Sequence, residues 1–146
     1  DFSPGTSAVI HQVGQAKIAP IICFELIDDR LIQSSADVSN LFVVQTNSAT
    51  FANTAQSAQQ LAITRIRAVE HAREILSVST VGISAFIDDN GAVISQTPEN
   101  ISTSISGDLK ISIHKTVSDR LGGVAPLLVL FSSLILAIGI RKKVSR

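Results

Sequence analysis

Two apolar runs, each followed directly by polar residues, dominate the pattern of the first fifty positions. Residues 18–24 are apolar up to Cys23 and Phe24, with Glu25 next, and residues 41–46 lead in the same way into Asn47. Runs of this length, bounded by polar residues, predict strands buried within a covered sheet. Further strands are predicted from β-branched and alternating residues: 76–80, 83–87, 92–95 and 103–113. The tetrapeptide at 88–91 contains an Asn-Gly pair typical of a hairpin turn.

Helical spacing appears between these strands. The clearest helix is predicted over residues 57–74, where apolar residues recur every three to five positions: Leu61, Ile66, Val69 and Ala72. Ser57 is placed to cap it, and a shorter helix is predicted over residues 28–35. Alternating strands and helices followed by hairpins indicate a layered α/β domain. In such domains chemistry lies at the carboxyl ends of the strands, so the segments after the first strands should meet at one edge of the sheet.

The polar residues at that edge allow two interpretations each. Cys23 is the only cysteine, which excludes an internal disulfide. A lone cysteine of this kind is either a small buried hydrophobe or a nucleophile. Asn47 either caps its loop or belongs to a site. We expect Cys23, Glu25 and Asn47 to line one pocket.

The remaining polar residues point to structure rather than chemistry. Charged residues of the long helix stand three and four positions apart, which predicts a salt-bridged face: Arg65, Arg67, Glu70, Arg73 and Glu74. His71 is interpreted as structural, because no nucleophile accompanies it. No Cys/His spacing typical of zinc occurs, so no metal and no cofactor is predicted. The formal net charge is zero, which argues against a nucleic-acid partner.

Residues 124–140 carry no charge and predict a transmembrane helix, at the short end of the ~17–25 residues that cross a bilayer. The alternative is a buried core helix. The basic residues of 141–146 place this tail in the cytoplasm and the domain before the span outside it. The chain begins with neither Met nor an export signal. We therefore expect it to be the tail of a longer protein.

Five segments together resemble the carbon–nitrogen hydrolase (nitrilase-like) superfamily. Within it, the span after the domain makes the chain similar to the apolipoprotein N-acyltransferase family of bacterial membrane enzymes. The segments occur in the family's order and spacing: residues 21–25, 46–51, 65–73, 79–84 and 88–91. The resemblance implies the C-terminal part of an αββα sandwich at 1–123, one transmembrane helix at 124–140 and a basic cytoplasmic tail at 141–146.

The resemblance also implies a Glu-Lys-Cys triad in which Cys23 is the nucleophile. Phe24, through its backbone N–H, and Glu25 would support the acyl site, with Asn47 and Phe51 on the neighbouring loop. The family's glutamate base and its lysine precede the nucleophile. Before Cys23 this chain has no glutamate, and its one lysine, Lys17, lies on the same predicted strand. An upstream half of the enzyme is therefore expected to supply both groups.

The implied activity moves a fatty acyl group from a phospholipid, through a cysteine thioester, to the N-terminal amine of a diacylglyceryl lipoprotein. The implied location is the bacterial cell membrane, with several spans in the full-length protein. Two alternatives remain, a catalytically incomplete membrane-tethered remnant and another nitrilase-like amidase. The chain alone is expected to be inactive.

Overall fold

The computed structural model describes Ser7 and residues 9–144. The strands are β1 (His11–Val13), β2 (Ala16–Ile22), β3 (Leu41–Thr46), β4 (Ile75–Ser79), β5 (Ala85–Ile87) and β6 (Val93–Gln96). The helices are α1 (Asp29–Val38), α2 (Gln56–His71), α3 (Val117–Leu121) and α4 (Val124–Val144). Two short 3-10 helices occupy Cys23–Ile27 and Ala49–Phe51.

All six strands form one mixed sheet in the order β1 to β6. β2, β3 and β4 are parallel and are joined by crossovers through α1 and α2, whereas the outer pairs are antiparallel. In register, Ile22 pairs with Gln45 and Thr46 pairs with Ser79. The carboxyl ends of the three parallel strands therefore reach the same edge. This arrangement confirms the predicted α/β class.

The core lies between the sheet and the helices. The sheet face that α1 and α2 cover is completely buried at six positions: Ile21, Phe42, Val44, Ile75, Ala85 and Ile87. Ile32 and Ala36 of α1 and Ala68 of α2 belong to the same buried cluster. Burial of each large side chain contributes about 1.5–3 kcal/mol to folding. This layer therefore holds the three parallel strands in place behind the candidate site.

The opposite face of the sheet is also apolar but is only partly covered. Because side chains alternate along a strand, Ile18, Pro20 and Ile22 point away from the buried Ile21. Ile22 is 60% exposed, and Val78 of β4, which lies on the other side of Gln45 from Ile22, is 43% exposed. Parallel strands that are apolar on both faces are typical of sheets covered on both sides. Among the described residues, only the face that packs against α1 and α2 is fully covered.

The hairpin prediction is confirmed. β5 and β6 are joined by a turn in which Gly91 has a φ of 74°. A Cβ at this position would lie 2.9 Å from the carbonyl oxygen of Arg65, so both the backbone angle and the space require glycine. β1 was not predicted, because its three residues are exposed and show no apolar pattern.

The predicted strand over residues 103–113 is wrong. No strand or helix occurs in residues 97–116, all of which the structure describes. Their backbone bonds go to other partners: the amide of Lys110 donates to the Glu74 carboxylate at 2.6 Å, and the amide of Ser112 donates to the Asn40 carbonyl at 3.2 Å. Ile113 is 82% exposed, so the apolar residues here have no common buried face. The segment is an extended connection held by other elements.

α2 ends earlier than predicted. It stops at His71 because Ala72 adopts the left-handed conformation, with a φ of 45°. Arg73 and Glu74 then turn inward and are buried. The Arg73 guanidinium donates to the carbonyls of His71 and His114, so these two charges belong to the interior and not to a solvated face.

Helix starts also differ from the predictions. Ser57 lies within the first turn of α2, whose N-cap is Ala55, so it does not cap the helix. At α1 the cap is Asp28, whose carboxylate accepts hydrogen bonds from the amides of Arg30 and Leu31. Capping of this kind stabilises a helix by about 1 kcal/mol.

The uncharged residues 124–140 form most of α4. Within the described part of the chain, no helix has the length and apolar character needed to cross a bilayer. Residues 1–6 and 8 of the predicted domain, and residues 145–146 of the predicted tail, lie outside the described residues.

Candidate functional site

Cys23 is the first residue after β2 and has a φ of 51°. This left-handed conformation is rare for a residue with a side chain and costs about 1–3 kcal/mol. In α/β-hydrolases, a strained residue at a sharp turn between a strand and a helix is exposed in the same way and serves as the nucleophile. Cys23 is a free thiol and partly exposed. Its surroundings therefore differ from those of a buried cysteine that serves only as packing.

Glu25 stabilises this turn through the backbone. Its carboxylate accepts a hydrogen bond from the Ile22 amide at 2.7 Å, and its carbonyl accepts one from the Asp28 amide at 3.0 Å. These two bonds close the chain on either side of Cys23. Glu25 therefore holds the turn and does not line the pocket next to the thiol.

Arg67 of α2 also stabilises this turn. Its Nε donates to the Leu26 carbonyl at 2.8 Å, and its two terminal nitrogens pair with Asp29 and Glu70, each at 2.6 Å. Burial acts to lower the pKa of Arg67, but the hydrogen bonds and charges of the two carboxylates outweigh it and raise that pKa above its usual value. Arg67 thus links the Cys23 turn to α1 and α2 through one guanidinium fork.

Asn47 joins the loops after β3 and β4. Its side-chain oxygen accepts hydrogen bonds from the Thr80 hydroxyl at 2.9 Å and from the Ala49 amide at 3.1 Å. Beside it, the hydroxyls of Ser48 and Ser79 lie 2.8 Å apart. Asn47 therefore has the loop-capping role that was one of its two predicted interpretations.

An apolar pocket of about 60 Å³ opens beside Cys23. Its walls come from the Cys23 turn, the loop after β3 and the first turns of α2: Cys23, Phe24, Leu26, Ile27, Ser48, Phe51, Gln56, Ser57, Gln59, Gln60 and Ile63. At its rim the rings of Phe24 and Phe51 meet edge to face, with centroids 6.3 Å apart. Phe24 and Ile27 are more than half exposed, so apolar surface continues from the pocket to the outside.

Of the three residues expected to line one pocket, Cys23, Glu25 and Asn47, only Cys23 lines this one. Phe24 and Phe51, which the family resemblance assigned to the site, also line it, whereas Glu25 and Asn47 form hydrogen bonds within the adjoining turn and loops. Sequence reasoning missed the wall that α2 contributes. The signal was present in the spacing of Gln56, Gln59 and Gln60, which places three amides on one side of the first turns of a helix.

The described residues do not supply the whole apparatus of a thiol nucleophile. No described residue makes a hydrogen bond to the Cys23 thiol. A thiol near its ordinary pKa needs a base to become a thiolate, and an oxyanion needs preorganised donors. Of these donors, the backbone N–H of Phe24 follows the nucleophile directly. Among the described residues, no group of three or more His, Cys, Asp or Glu side chains could hold a metal ion.

His71 lies at the opposite end of α2, in a separate buried cluster. Its Nδ1 is 2.6 Å from an Asp119 carboxylate oxygen, and both side chains are almost fully buried. Burial acts to raise the pKa of Asp119, but the hydrogen bonds from His71 and from the Thr116 amide, with the charges of His71 and Arg73, bring it below its usual value. The Thr116 hydroxyl also donates to the Glu70 carbonyl at 2.7 Å. This cluster fixes α3 against α2.

Comparison with known proteins gives consistent likenesses in sequence. The chain is 34% identical to the apolipoprotein N-acyltransferase of Mycolicibacterium smegmatis over 91% of its own length and 22% of that protein. It is 28% identical to the apolipoprotein N-acyltransferase of Geobacter metallireducens over 98% of its length and 28% of that protein. The chain therefore spans about a quarter of the length of the curated relatives it matches. No family model matches it.

Solved structures agree on the fold. Nit3 of Saccharomyces cerevisiae, a member of branch 10 of the nitrilase superfamily, superposes with a TM-score of 0.57 at 19% identity, over 67% of this chain and 39% of that one. A CN-hydrolase superfamily protein of Xanthomonas campestris gives a TM-score of 0.57 at 20% identity, over 67% of this chain and 42% of that one. The chain thus has the fold of one part of the nitrilase-superfamily structures, and its sequence is similar to those of apolipoprotein N-acyltransferases.

Proposed function

We propose that this chain is the nucleophile-bearing part of an acyltransferase of the apolipoprotein N-acyltransferase type, a proposal that begins from the likeness just described. The observation that carries it is the position of Cys23. The thiol lies on a strained turn at the carboxyl end of a central parallel strand and opens onto an apolar pocket. A nucleophile beside an apolar cavity suits a substrate whose reacting carbonyl is attached to a hydrocarbon chain.

The proposed reaction proceeds in two steps. A base takes the Cys23 proton, and the thiolate sulfur attacks the ester carbonyl of a phospholipid. The tetrahedral intermediate expels the lysophospholipid alkoxide, which takes up a proton, and leaves a thioester on sulfur. The N-terminal amine of a diacylglyceryl lipoprotein then attacks the thioester. An amide forms, the amine loses a proton, and the Cys23 thiol is restored.

The groups of this chain have distinct parts in those steps. The backbone N–H of Phe24 is the candidate oxyanion donor, and one such donor is worth about 10²–10³ in rate. Phe24, Ile27 and Phe51 provide apolar contact for the first carbons of the acyl chain. Glu25 and Asn47 keep the turn and the adjacent loop in place. The glutamate base and the lysine implied by the family resemblance would come from an upstream part of the full-length protein.

The open face of the sheet supports such an upstream part. Ile22 and Val78 are exposed on a face that also carries Ile18, Pro20 and Val43. In the αββα sandwich implied by the resemblance, a second sheet would cover this face and bring its own residues to the edge where Cys23 lies. Covering it would also remove the exposed apolar area from water, at about 25 cal/mol per Å².

The membrane part of the proposal rests on the sequence. Residues 124–140 contain no charge, and basic residues follow them directly. We assign this stretch to a span, with the tail from 141 in the cytoplasm and the catalytic domain on the outer side of a bacterial cell membrane. The phospholipid donor and the lipid-bearing acceptor would then reach Cys23 from the bilayer.

A nitrilase-like amidase is the second candidate, and the small pocket is the observation that favours it. A cavity of about 60 Å³ accommodates only a few carbon atoms. One of the solved structures similar to this chain is an amidase in complex with butyramide. The two candidates differ in their substrates: short amides for the amidase, phospholipid and an amine for the acyltransferase.

The test uses the full-length protein in phospholipid membranes, with a lipopeptide as acceptor and butyramide as the competing substrate. We expect acyl transfer to the lipopeptide, a thioester on Cys23 detectable by mass spectrometry, and loss of both in Cys23→Ser. Arg30→Ala, at an exposed residue of α1, is the matched control and should keep full activity. Transfer that persists in Cys23→Ser contradicts the nucleophile assignment. Hydrolysis of butyramide without transfer favours the amidase.

The same assay on residues 1–146 alone addresses the third possibility, a tethered remnant. We expect no measurable transfer, because the described residues place no base on the thiol. Activity of this piece would reveal a base within the chain and would contradict the expectation that an upstream part supplies it. If the full-length protein is equally inactive although it folds and binds membranes, the remnant interpretation replaces the acyltransferase.

A further inference from the structure

The side chain of Gln56, the first residue of α2, lines the pocket beside Cys23. Its oxygen Oε1 is buried and has no hydrogen-bond partner among the residues that the structure describes. Buried polar atoms are normally paired, and an unpaired one costs folding free energy. The wall of the candidate site therefore contains a hydrogen-bond acceptor that no described residue satisfies.

Other polar side chains of the same wall are engaged within the protein. The Gln60 carboxamide donates to a threonine hydroxyl of β3, and the hydroxyls of Ser48 and Ser79 bond to each other. The backbone amide of Gln56 donates to the Thr54 hydroxyl at 3.3 Å, so the start of α2 is held through the main chain. The side-chain oxygen of Gln56 takes no part in these bonds.

Much of the remaining pocket wall is apolar and includes the side chains of Phe24, Ile27, Phe51 and Ile63. Pockets of this composition bind through their apolar walls and use a few polar groups to orient the ligand. A carboxamide oxygen only accepts hydrogen bonds, so it favours a ligand that carries an N–H or an O–H. The terminal torsion of a glutamine side chain is broad, so the carboxamide can turn toward such a donor when it enters.

In the proposed reaction, the acceptor amine is the group that brings such a donor to the reacting carbon. The phospholipid ester has neither an N–H nor an O–H at its reacting carbonyl, and its acyl chain has none either. The amine has two N–H bonds, and its nitrogen must approach the thioester carbon beside Cys23. Gln56 therefore matches the second step of the reaction and not the first.

We propose that the carboxamide oxygen of Gln56 binds the primary amine of the acceptor and holds it for attack on the Cys23 thioester, an assignment that rests on the proposed acyltransferase function. The nitrogen lone pair forms the C–N bond, and the C–S bond breaks when the tetrahedral intermediate collapses. One amine proton passes to the base and then to sulfur, while the other stays on nitrogen, bonded to Gln56. The nitrogen becomes positive as the C–N bond forms, so this hydrogen bond is stronger in the transition state than before it.

The test separates the two steps in the full-length protein. Phospholipid membranes alone load Cys23 with the acyl group, a lipopeptide with a primary amine then unloads it, and mass spectrometry follows both steps. Gln56→Met keeps an unbranched side chain of similar length but removes the oxygen. We expect this variant to load at the original rate and to unload about tenfold more slowly, the effect of losing one good hydrogen bond. It should melt no lower than the unmodified protein, because the oxygen that it removes is unpaired there.

Gln15→Met is the matched control. It removes an exposed carboxamide at the turn between β1 and β2, at the end of β2 opposite to Cys23, and should change neither step. An N-methylated lipopeptide gives a second comparison, because its amine has a single hydrogen, which must go to the base. Gln56→Met should therefore slow unloading by this acceptor less than it slows unloading by the primary amine.

Equal unloading rates in Gln56→Met and the unmodified protein overturn the proposal. A loss of loading as large as the loss of unloading also overturns it, because that result shows a structural role. Gln56→Leu is the second variant; if neither variant folds, Gln56 serves stability and the proposal is wrong. None of these results affects acyl transfer by the unmodified protein. If that protein never loads Cys23 from phospholipid, the acyltransferase proposal itself fails, and the assignment of Gln56 fails with it.

Discussion

Arg67 offers the sharpest test of how the turn that carries Cys23 is held. The change Arg67→Ala removes the donor to the Leu26 carbonyl. It also removes the guanidinium that pairs with the carboxylates of Asp29 and Glu70. The bond to the Leu26 carbonyl comes from a charged, buried donor, and such bonds contribute about 1.5–3 kcal/mol. Asp29 is mostly exposed, so its pair with Arg67 adds at most about 1 kcal/mol. We expect the free energy of unfolding to fall by about 2–4 kcal/mol.

The loss should also be visible at Cys23 itself. Without Arg67, the turn is held at Ile22 and Asp28 but not at Leu26, so the strained conformation of Cys23 should relax. Alkylation of the thiol by iodoacetamide should change in rate, and acyl transfer by the full-length protein should fall. Arg67→Lys keeps the charge but loses the fork, and an intermediate effect is expected.

The control is Arg30→Ala, which removes a guanidinium from the exposed surface of α1. It should change neither melting nor the rate of alkylation. If Arg67→Ala melts and reacts like Arg30→Ala, the turn is held by its own backbone bonds and our account of Arg67 is wrong. If Arg67→Ala melts early but alkylates at the original rate, Arg67 stabilises the domain without shaping the turn.

Three further predictions concern other parts of the molecule. Gly82→Ala should lower the melting temperature, because its Cβ would lie 2.7–3.0 Å from three seryl oxygens, whereas Gly123→Ala, in open space, should not. The pKa of Asp119 is lower in the folded protein than its ordinary value of 3.8, so its stabilising contribution is complete above that value and is lost as the pH falls below it. Acid unfolding followed by circular dichroism should therefore be less steep in Asp119→Asn, and an unchanged slope would refute this. Finally, a reporter thiol placed after residue 141 in a Cys23→Ser background should be labelled only after the cytoplasm is opened; labelling in intact cells would reverse the topology.

The central strands and the position of Cys23 at a strand end were accessible to sequence reasoning for a definite reason. β2 and β3 are continuous apolar runs with abrupt polar ends, and this local pattern survives in any globular context. The hairpin of β5 and β6 was likewise determined locally, since the turn needs a positive φ that Gly91 adopts freely. Because parallel strands must present their carboxyl ends on the same side, the meeting of Cys23 with the loop after β3 followed from topology.

The failures all involve partners that are distant in sequence. Residues 103–113 have strand-like composition, but their backbone groups bond to Asn40 and Glu74, so no sheet edge is available to them. Arg67 and Arg73 stand at helical spacing and were predicted to lie on a salt-bridged face. Arg67 does pair with Glu70, yet both arginines also donate to main-chain carbonyls far along the chain. Long cationic side chains can serve either as surface charges or as buried braces, and the helical period does not distinguish the two.

The fixing of α3 has a mechanical consequence for how the site stands relative to α4. Asp119 and Thr116 attach α3 to α2, the helix whose other end walls the Cys23 pocket. Between α3 and α4 only Gly122 and Gly123 remain, and a side chain at either would meet nothing within 4 Å. α3 and α4 are therefore joined by two residues whose backbone can adopt more conformations than that of any other residue type. Rotation of the backbone at these two residues would move the Cys23 pocket, α2 and α3 together relative to the start of α4.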